Sequence, residues 1–142
     1  MKKLFKSALS LLLVLALLFT FIACNKVPAE GKWENATYRS DKTFGEGEKT
    51  VTVSVVVEEQ RVTFTLLTDK ETLADALLEH GLVEGEMSTY GLYVKKVNGI
   101  TADYNEDSTW WGVEQNGKLA PTGMSEIILK NGDHYDVVCK KG

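Results

Sequence analysis

The sequence predicts an α+β domain of the β-grasp type, in which a mostly antiparallel sheet packs on one helix. Three observations favour this class: two adjoining runs alternate apolar and polar residues, one amphipathic segment follows them, and several further strand patterns come after it. Two strands, a helix and then more strands is an order typical of α+β domains. The alternative, a parallel doubly wound sheet, needs more helices than this sequence contains.

Residues 1–23 have the pattern of a secretory signal, because three lysines among the first six residues precede a long apolar run that ends in small residues. Phe21–Cys24 resembles a bacterial lipobox, which implies cleavage before Cys24 and attachment of acyl chains such as palmitate to its sulfur. A plain signal peptide cut nearby and an uncleaved membrane anchor are the alternatives, since the apolar run is close to the shortest length that spans a bilayer.

We therefore expect a lipoprotein held at Cys24 on the extracytoplasmic face of the cell membrane. Residues 24–32 are interpreted as a polar tether and residues 33–142 as the domain. Each acyl methylene buried in the bilayer adds about 0.8 kcal/mol of membrane affinity, so two or more chains would hold a soluble domain at the surface.

Charge and cysteine content narrow the partners. The formal net charge is −4, and an acidic protein is not expected to bind nucleic acid. The sequence has two cysteines, so lipidation of Cys24 leaves only Cys139 as a thiol and excludes an intramolecular disulfide. We interpret Cys139 as a small buried side chain in the last strand rather than as a nucleophile. We expect a monomer.

The strands before the helix follow from period-two patterns. Trp33–Tyr38 is predicted to be a first strand or a strap across the sheet edge, and a glycine-rich turn follows it. Thr50–Val57 places four valines on one face, and the run Val62–Leu66 repeats this period after a polar turn. These two runs predict a β-hairpin.

The one predicted helix covers about residues 68–81. Thr68 and Glu71 have the spacing of a capping box, and Gly81 stands where a left-handed C-terminal cap favours glycine. The apolar side chains that share one stripe of this helix are Leu73, Ala74, Leu77 and Leu78. A helix of about three turns is not stable alone in water, so a sheet must cover the stripe.

The second half of the chain begins with a connection that contains Gly85, and strand patterns separated by turns follow. The predicted strands cover residues 90–97, 109–115, 127–129 and 135–138. The turns are predicted at Asn98–Gly99, Asn116–Gly117 and residues 130–133, since asparagine followed by glycine is typical of tight hairpin turns.

The sequence carries no motif of a common enzyme class: phosphate loop, dinucleotide fingerprint, paired-cysteine zinc site and HExxH helix are all missing from it. His80 is interpreted as a complement to the helix dipole, and His134 lies far from it in sequence. We therefore expect no catalytic residues and no metal site. A hydrolase, in which a pocket holds a histidine beside a hydroxyl or a carboxylate, is the least favoured hypothesis.

The acidic loop from Asp103 to Glu114 is a candidate calcium site. Asp103, Asn105, Asp107 and Glu114 match oxygen positions of an EF-hand loop. However, Ser108 replaces the glycine of the sharp turn, and both flanks are predicted to be strands. A solvated acidic loop is therefore favoured, and calcium is left as an open alternative.

Aromatic residues supply the candidate binding site. Trp110 and Trp111 are adjacent in a predicted strand, so one faces the core and the other is available, and the same argument divides Tyr90 and Tyr93. An exposed indole beside the loop Ala120–Gly123 would suit a flat or sugar-like ligand. The alternative is that both tryptophans are covered. The candidate ligand-binding residues are Tyr90, Tyr93, Trp110, Trp111, Pro121, Thr122 and Gly123.

The run from Tyr90 to Gly123 resembles a known family, the transcobalamin-like C-terminal domain of bacterial surface proteins. The resemblance spans about residues 33–140, and its ordered landmarks are Tyr90-Gly91, Asn98-Gly99, the Trp111 strand, Gly123 and Gly132-Asp133. It implies a β-grasp that binds soluble ligands. In transcobalamin and intrinsic factor the equivalent domain closes over one face of cobalamin, beside a large helical domain that this sequence does not contain. The resemblance also implies that Trp111 is the family tryptophan and that the loop to Gly123 lies near the ligand.

Two functional hypotheses follow. The first is a membrane-anchored, non-catalytic domain that captures a small ligand, with cobalamin or another corrinoid as the candidate. The second is a surface adaptor that binds another protein or a cell-wall glycan through a β edge or an aromatic patch.

Overall fold

The structure is a computed structural model that describes residues 26–142. The predicted signal of residues 1–23 and the lipidation site at Cys24 lie outside the described residues. Nine strands lie in the described part: β1 (Lys42–Phe44), β2 (Lys49–Val57), β3 (Gln60–Thr68), β4 (Val83–Ser88), β5 (Gly91–Val97), β6 (Ile100–Thr101), β7 (Thr109–Gln115), β8 (Lys118–Leu119) and β9 (His134–Lys141). The helices are α1 (Leu73–Glu79) and α2 (Tyr104–Asp107), and 3-10 turns lie at Gly31–Asn35 and Met124–Glu126.

The strands form two sheets. The larger sheet has the order β1-β3-β2-β9-β7-β8, and the smaller one has the order β4-β5-β6. Strand β1 runs parallel to β3 and β2 runs parallel to β9, whereas every other pair in the described residues is antiparallel. A parallel neighbour needs a crossover, and α1 lies in the long connection between β2 and β9. The predicted α+β class is confirmed, with a six-stranded sheet that is mixed.

The predicted hairpin is confirmed as β2 and β3. Val53 pairs with Phe64 and Val55 with Val62, so the apolar residues of both strands face the same side. All four of these side chains are buried. The hairpin therefore supplies the floor of the core, and α1 covers it.

Helix α1 is shorter than predicted, because Thr68 is not its cap. Thr68 ends β3, where it pairs with Lys49 and its hydroxyl accepts a hydrogen bond from the Lys70 N–H. The cap is Thr72, whose Oγ1 accepts from the Asp75 N–H at 3.2 Å. Two threonines compete for this role in the sequence, and the β-ladder takes the first of them.

The C-terminus of α1 ends as predicted. Gly81 has a φ of +65°, its N–H donates to the Leu78 carbonyl, and the Leu82 N–H donates to the Leu77 carbonyl at 3.0 Å. These are the two bonds of a Schellman motif. The predicted stripe is only partly right, since Leu78 is 41% exposed and Ala76 is buried in its place.

The segment around Gly85 is a strand, not a connection. Strand β4 pairs with β5 along its length, with a bulge between Glu84 and Gly85. A Cβ added at Gly85 would lie 1.9 Å from the carbonyl oxygen of Tyr93, so glycine permits the strands to approach here. A glycine that indicates a loop in the sequence therefore marks a bulge.

The predicted strand at residues 127–129 is wrong. The Leu73 N–H donates to the Ile127 carbonyl, and the Leu129 N–H donates to the Glu71 carbonyl at 2.8 Å. These residues therefore bracket the start of α1 instead of joining a sheet. The strand predicted at 135–138 and the turn before it are confirmed, and β9 is longer than predicted.

The segment Trp33–Tyr38 is a strap, with a 3-10 turn in place of a strand. Trp33 is buried, and its Nε1 donates to the Val57 carbonyl at 3.2 Å. Upstream, within the predicted tether, Val27 is buried and its N–H donates to the Arg39 carbonyl. In residues 26–142 no helix has both the length and the apolar character needed to cross a membrane.

Candidate functional site

A cleft of about 270 Å³ lies where β5 of the small sheet faces β7 of the large sheet. Residues Leu92–Val94 form one wall and Trp110–Val113 the other, while the segment after β8 and Ala102 close the ends. Most of these side chains are apolar. Pockets for whole small molecules usually have about 300–1,000 Å³, so this cleft suits one part of a larger ligand.

The two tryptophans lie on opposite faces of β7. Trp111 packs against the core on the side of Val113. Trp110 faces the other way, where its ring and the Lys140 stem both lie within about 3.1 Å of a Cβ built on Gly112. Both indoles are partly exposed and border the cleft. The two side chains therefore face opposite sides of the strand, as their adjacency predicts, and neither ring is sealed in the interior.

The indole N–H of Trp111 is a donor without an acceptor. It is buried, and no group in residues 26–142 accepts a hydrogen bond from it. An unmet buried donor costs about 1–3 kcal/mol. A ligand oxygen or a bridging water that reached this N–H would recover part of that cost.

The cleft brings together only some of the predicted site residues. Tyr93, Trp110, Trp111, Thr122 and Gly123 line it. The other two predicted residues do not.

Tyr90 is 87% exposed at the tip of the β4–β5 hairpin, and Pro121 is exposed on the surface. The lining residues that the aromatic argument missed are Leu92, Val94, Ala102, Gly112, Val113, Leu119, Ala120 and Met124. Leu92 and Val94 carry a period-two signal that could have found them, whereas Met124 has no such signal.

The loop that closes the cleft is held at both of its ends. The Ala120 N–H donates to the Val113 carbonyl at 2.8 Å. Ser125 Oγ accepts from the Leu92 N–H at 3.0 Å, and Gly91 is glycine because a Cβ there would lie 2.7 Å from the Ser125 Cβ. The loop is therefore fixed to both walls before any ligand arrives.

The acidic loop uses its carboxylates within the protein. Lys32 Nζ lies 2.8 Å from Asp107 Oδ2, and this hydrogen bond, with others from Thr109, lowers the pKa of Asp107 to about 2. Asp103 accepts from the Asn105 N–H and so caps α2. No group of three or more His, Cys, Asp or Glu residues within 26–142 is placed to hold a metal ion.

The histidines lie away from the cleft. His80 is the C-terminal cap residue of α1, as predicted, and its ring stacks on Phe44 at 5.2 Å. His134 Nδ1 lies 2.7 Å from Thr52 Oγ1, and its Nε2 lies 3.0 Å from Asp136 Oδ1. This chain of groups has the composition of a hydrolase triad, but it stands on the exposed outer face of the large sheet and does not line the cleft.

One protein family and at least two solved structures are similar to this chain. A family model described as "Domain of unknown function (DUF4430)" matches residues 70–135. A crystal structure of a "putative metal binding protein" from Ruminococcus gnavus ATCC 29149 is 30% identical, with a TM-score of 0.64, and the match covers 67% of this chain and 99% of that one. None of the curated proteins searched matches the chain.

The structure of haptocorrin in complex with Cbi is a second solved relative. It is 23% identical with a TM-score of 0.51, and the match covers 69% of this chain. The chain spans 26% of haptocorrin's length, so the likeness concerns the fold of one part of that protein.

Proposed function

The chain belongs to the DUF4430 family, and we propose that it is a non-catalytic binding domain that holds one edge of a flat ligand, cobalamin or another corrinoid, between its two sheets. The observation that carries the proposal is the cleft, which is open, mostly apolar and bordered by two indoles. Haptocorrin, whose structure was solved with Cbi, shares the fold and so favours a corrinoid over other flat ligands.

The size of the cleft sets the expected affinity. A space of about 270 Å³ is too small to enclose a macrocycle, so one face of the ligand stays open to solvent. A site that covers one side of a ligand gains less than a closed one, and we expect a Kd of about 1 µM or weaker, or about −8 kcal/mol.

We propose that the domain works at the extracytoplasmic face of the cell membrane, through acyl chains on Cys24. The lipobox-like run before Cys24 supports this location. Metabolic labelling with an alkyne fatty acid in a bacterial host would test it. Wild type should take up the label, Cys24→Ala should not, and equal labelling of both forms would contradict the anchor.

Two tyrosines of one hairpin give a matched test of the cleft. Tyr93 lines it, whereas Tyr90 stands outside it. If a ligand covers about 60 Å² of the Tyr93 ring, Tyr93→Ala loses about 1.5 kcal/mol, or roughly tenfold in Kd. Tyr90→Ala should stay within about twofold of wild type.

The measurement is quenching of tryptophan fluorescence by cobalamin and by cobinamide, checked by calorimetry. Saturable binding that Tyr93→Ala weakens and Tyr90→Ala does not would support the cleft. No binding of either corrinoid would remove the corrinoid proposal, and equal effects of both variants would move the site to the hairpin tip.

The hairpin tip favours a second function, that of a surface adaptor. Met87 and Tyr90 are 74% and 87% exposed, and the chain has no charged residue between Glu86 and Lys95. Exposed apolar residues grouped in this way are typical of contact sites for proteins. Crosslinking on intact cells should give a discrete adduct that Tyr90→Ala abolishes, and retention of the adduct would argue against the tip.

A further inference from the structure

A second recess continues the cleft on the far side of Tyr93. It has about 190 Å³, and its polar lining consists of Lys95, Thr101, Asp103, Tyr104 and Asn105. Tyr93 of β5 and Ala102, the residue after β6, line both spaces and so form the boundary between them. Tyr93 is 56% exposed and can contact a ligand on either side.

The two spaces adjoin at Tyr93 and Ala102, beside the end of the short strand β6. This strand ends at Thr101, and after the Ala102 N–H donates to the Lys95 carbonyl at 3.0 Å the chain turns away into α2. The edge of β5 on the Tyr93 side of Lys95 is therefore not covered by β6. A molecule lying in the cleft can extend over that edge into the recess.

Resting on the proposed function, we propose that the ligand carries a hydrogen-bond-donating arm, such as a primary amide, that crosses Tyr93 into this recess, and that a carboxylate arm is rejected there. The cleft and the recess would thus recognise different parts of the ligand. The cleft binds the apolar ring, and the recess binds the polar periphery.

The charges of the recess select the arm. Lys95 Nζ lies 3.1 Å from Glu86 Oε1, so this lysine already has an anionic partner. Asp103 Oδ1 accepts from the Asn105 N–H, while no cation in residues 26–142 forms a salt bridge with the Asp103 carboxylate. Its second oxygen can accept from an amide N–H. A carboxylate arm would instead face a like charge, which is unfavourable when partly desolvated.

Asn105 supplies the complementary group. Its side-chain amide both donates and accepts, and among residues 26–142 it has no hydrogen-bond partner in the protein. An amide arm can therefore pair with Asp103 and Asn105 together.

The test compares cobinamide, whose periphery carries primary amides, with the same corrinoid after acid hydrolysis of those amides to carboxylates. Wild type should bind the amide form at least tenfold more tightly. Asp103→Asn keeps an N-cap residue for α2 but removes the charge. It should reduce the ratio of the two dissociation constants at least threefold. Asp75→Asn makes the same charge change in the first turn of α1, outside both spaces, and should leave the ratio unchanged.

A direct readout comes from the side-chain NH₂ signals of Asn105 in a ¹⁵N correlation spectrum, which should shift on addition of cobinamide. Three results would refute binding of the arm in the recess without refuting binding in the cleft. These are equal binding of the two corrinoids, an Asp103→Asn effect no larger than that of Asp75→Asn, and Asn105 signals that do not shift. If wild type binds neither corrinoid, the proposed function fails and the arm fails with it.

Discussion

Gly85 is the position at which one added methyl group would separate the strands of the β4–β5 hairpin. A Cβ there would lie 1.9 Å from the Tyr93 carbonyl oxygen and 3.0 Å from the Val94 Cα, and both atoms belong to backbone that cannot rotate away. Overpacking of this kind costs about 1–3 kcal/mol, occasionally more. Because Tyr93 and Val94 line the cleft, Gly85→Ala should weaken ligand binding as well as stability.

Two other glycines make matched controls. A Cβ at Gly81 meets nothing within 4 Å, but its φ of +65° strains any other residue, so Gly81→Ala should cost about 1 kcal/mol. Gly123 has open space and an ordinary φ of −73°, so Gly123→Ala should lie within about 0.5 kcal/mol of wild type.

Urea unfolding followed by circular dichroism would give the three free energies of unfolding. The expected order of destabilisation is Gly85→Ala, then Gly81→Ala, then Gly123→Ala. The steric reasoning is refuted if Gly85→Ala is as mild as Gly123→Ala, since the bulge would then open without cost.

Three further results are expected. Thr72→Ala should destabilise the protein by about 1 kcal/mol through loss of the α1 cap. A variant that removes the Thr68 hydroxyl should leave amide hydrogen exchange in the first turn of α1 unchanged. The pKa of Asp107 is lowered to about 2, so its contacts stabilise the fold above the ordinary pKa and are lost as pH falls from about 4 towards 2; Lys32→Ala should flatten that part of the stability profile. Burial raises the pKa of Cys139, so iodoacetamide should alkylate it more slowly in the native protein than in urea, and equal rates would contradict the structure.

The parts of the fold that were predictable depend on neighbours in sequence. The valines of β2 repeat every second residue, and Asn98-Gly99 and Asn116-Gly117 form tight turns in which both residues have positive φ. Gly81 ends α1 through bonds within five residues. Each of these features is decided locally, so the sequence pattern alone is enough to place it.

The incorrect predictions of secondary structure concern positions whose conformation depends on contacts with residues distant in sequence. Thr68 and Thr72 are both acceptable caps, and only the pairing of Thr68 with Lys49 excludes the first. Residues 127–129 are apolar enough for a strand, but their backbone hydrogen bonds go to Glu71 and Leu73, on either side of the α1 cap. Tertiary contacts override local preference at such positions.

The candidate site divides in the same way. Alternation along β7 was sufficient to place Trp110 and Trp111 on opposite faces. The apolar residues that complete the cleft come from other elements, such as Met124, whose neighbour Ser125 is hydrogen-bonded to Leu92 of β5. Packing between the sheets, which no local pattern encodes, creates the concavity.

If Cys24 carries a lipid, the segment from Val27 to Arg39 determines which end of the domain lies at the membrane. Val27 is bonded to Arg39, and the neighbouring Tyr38 is bonded on both sides to Asn98, just past the end of β5. Tyr93 stands five positions back along this strand, roughly 17 Å away at 3.3 Å per residue. Three residues of extended chain reach at most about 10 Å, so a lipid on Cys24 would keep the Asn98 end of the domain close to the bilayer. Tyr93, which lines both the cleft and the recess, would then stand at the opposite end of β5 from the anchored end.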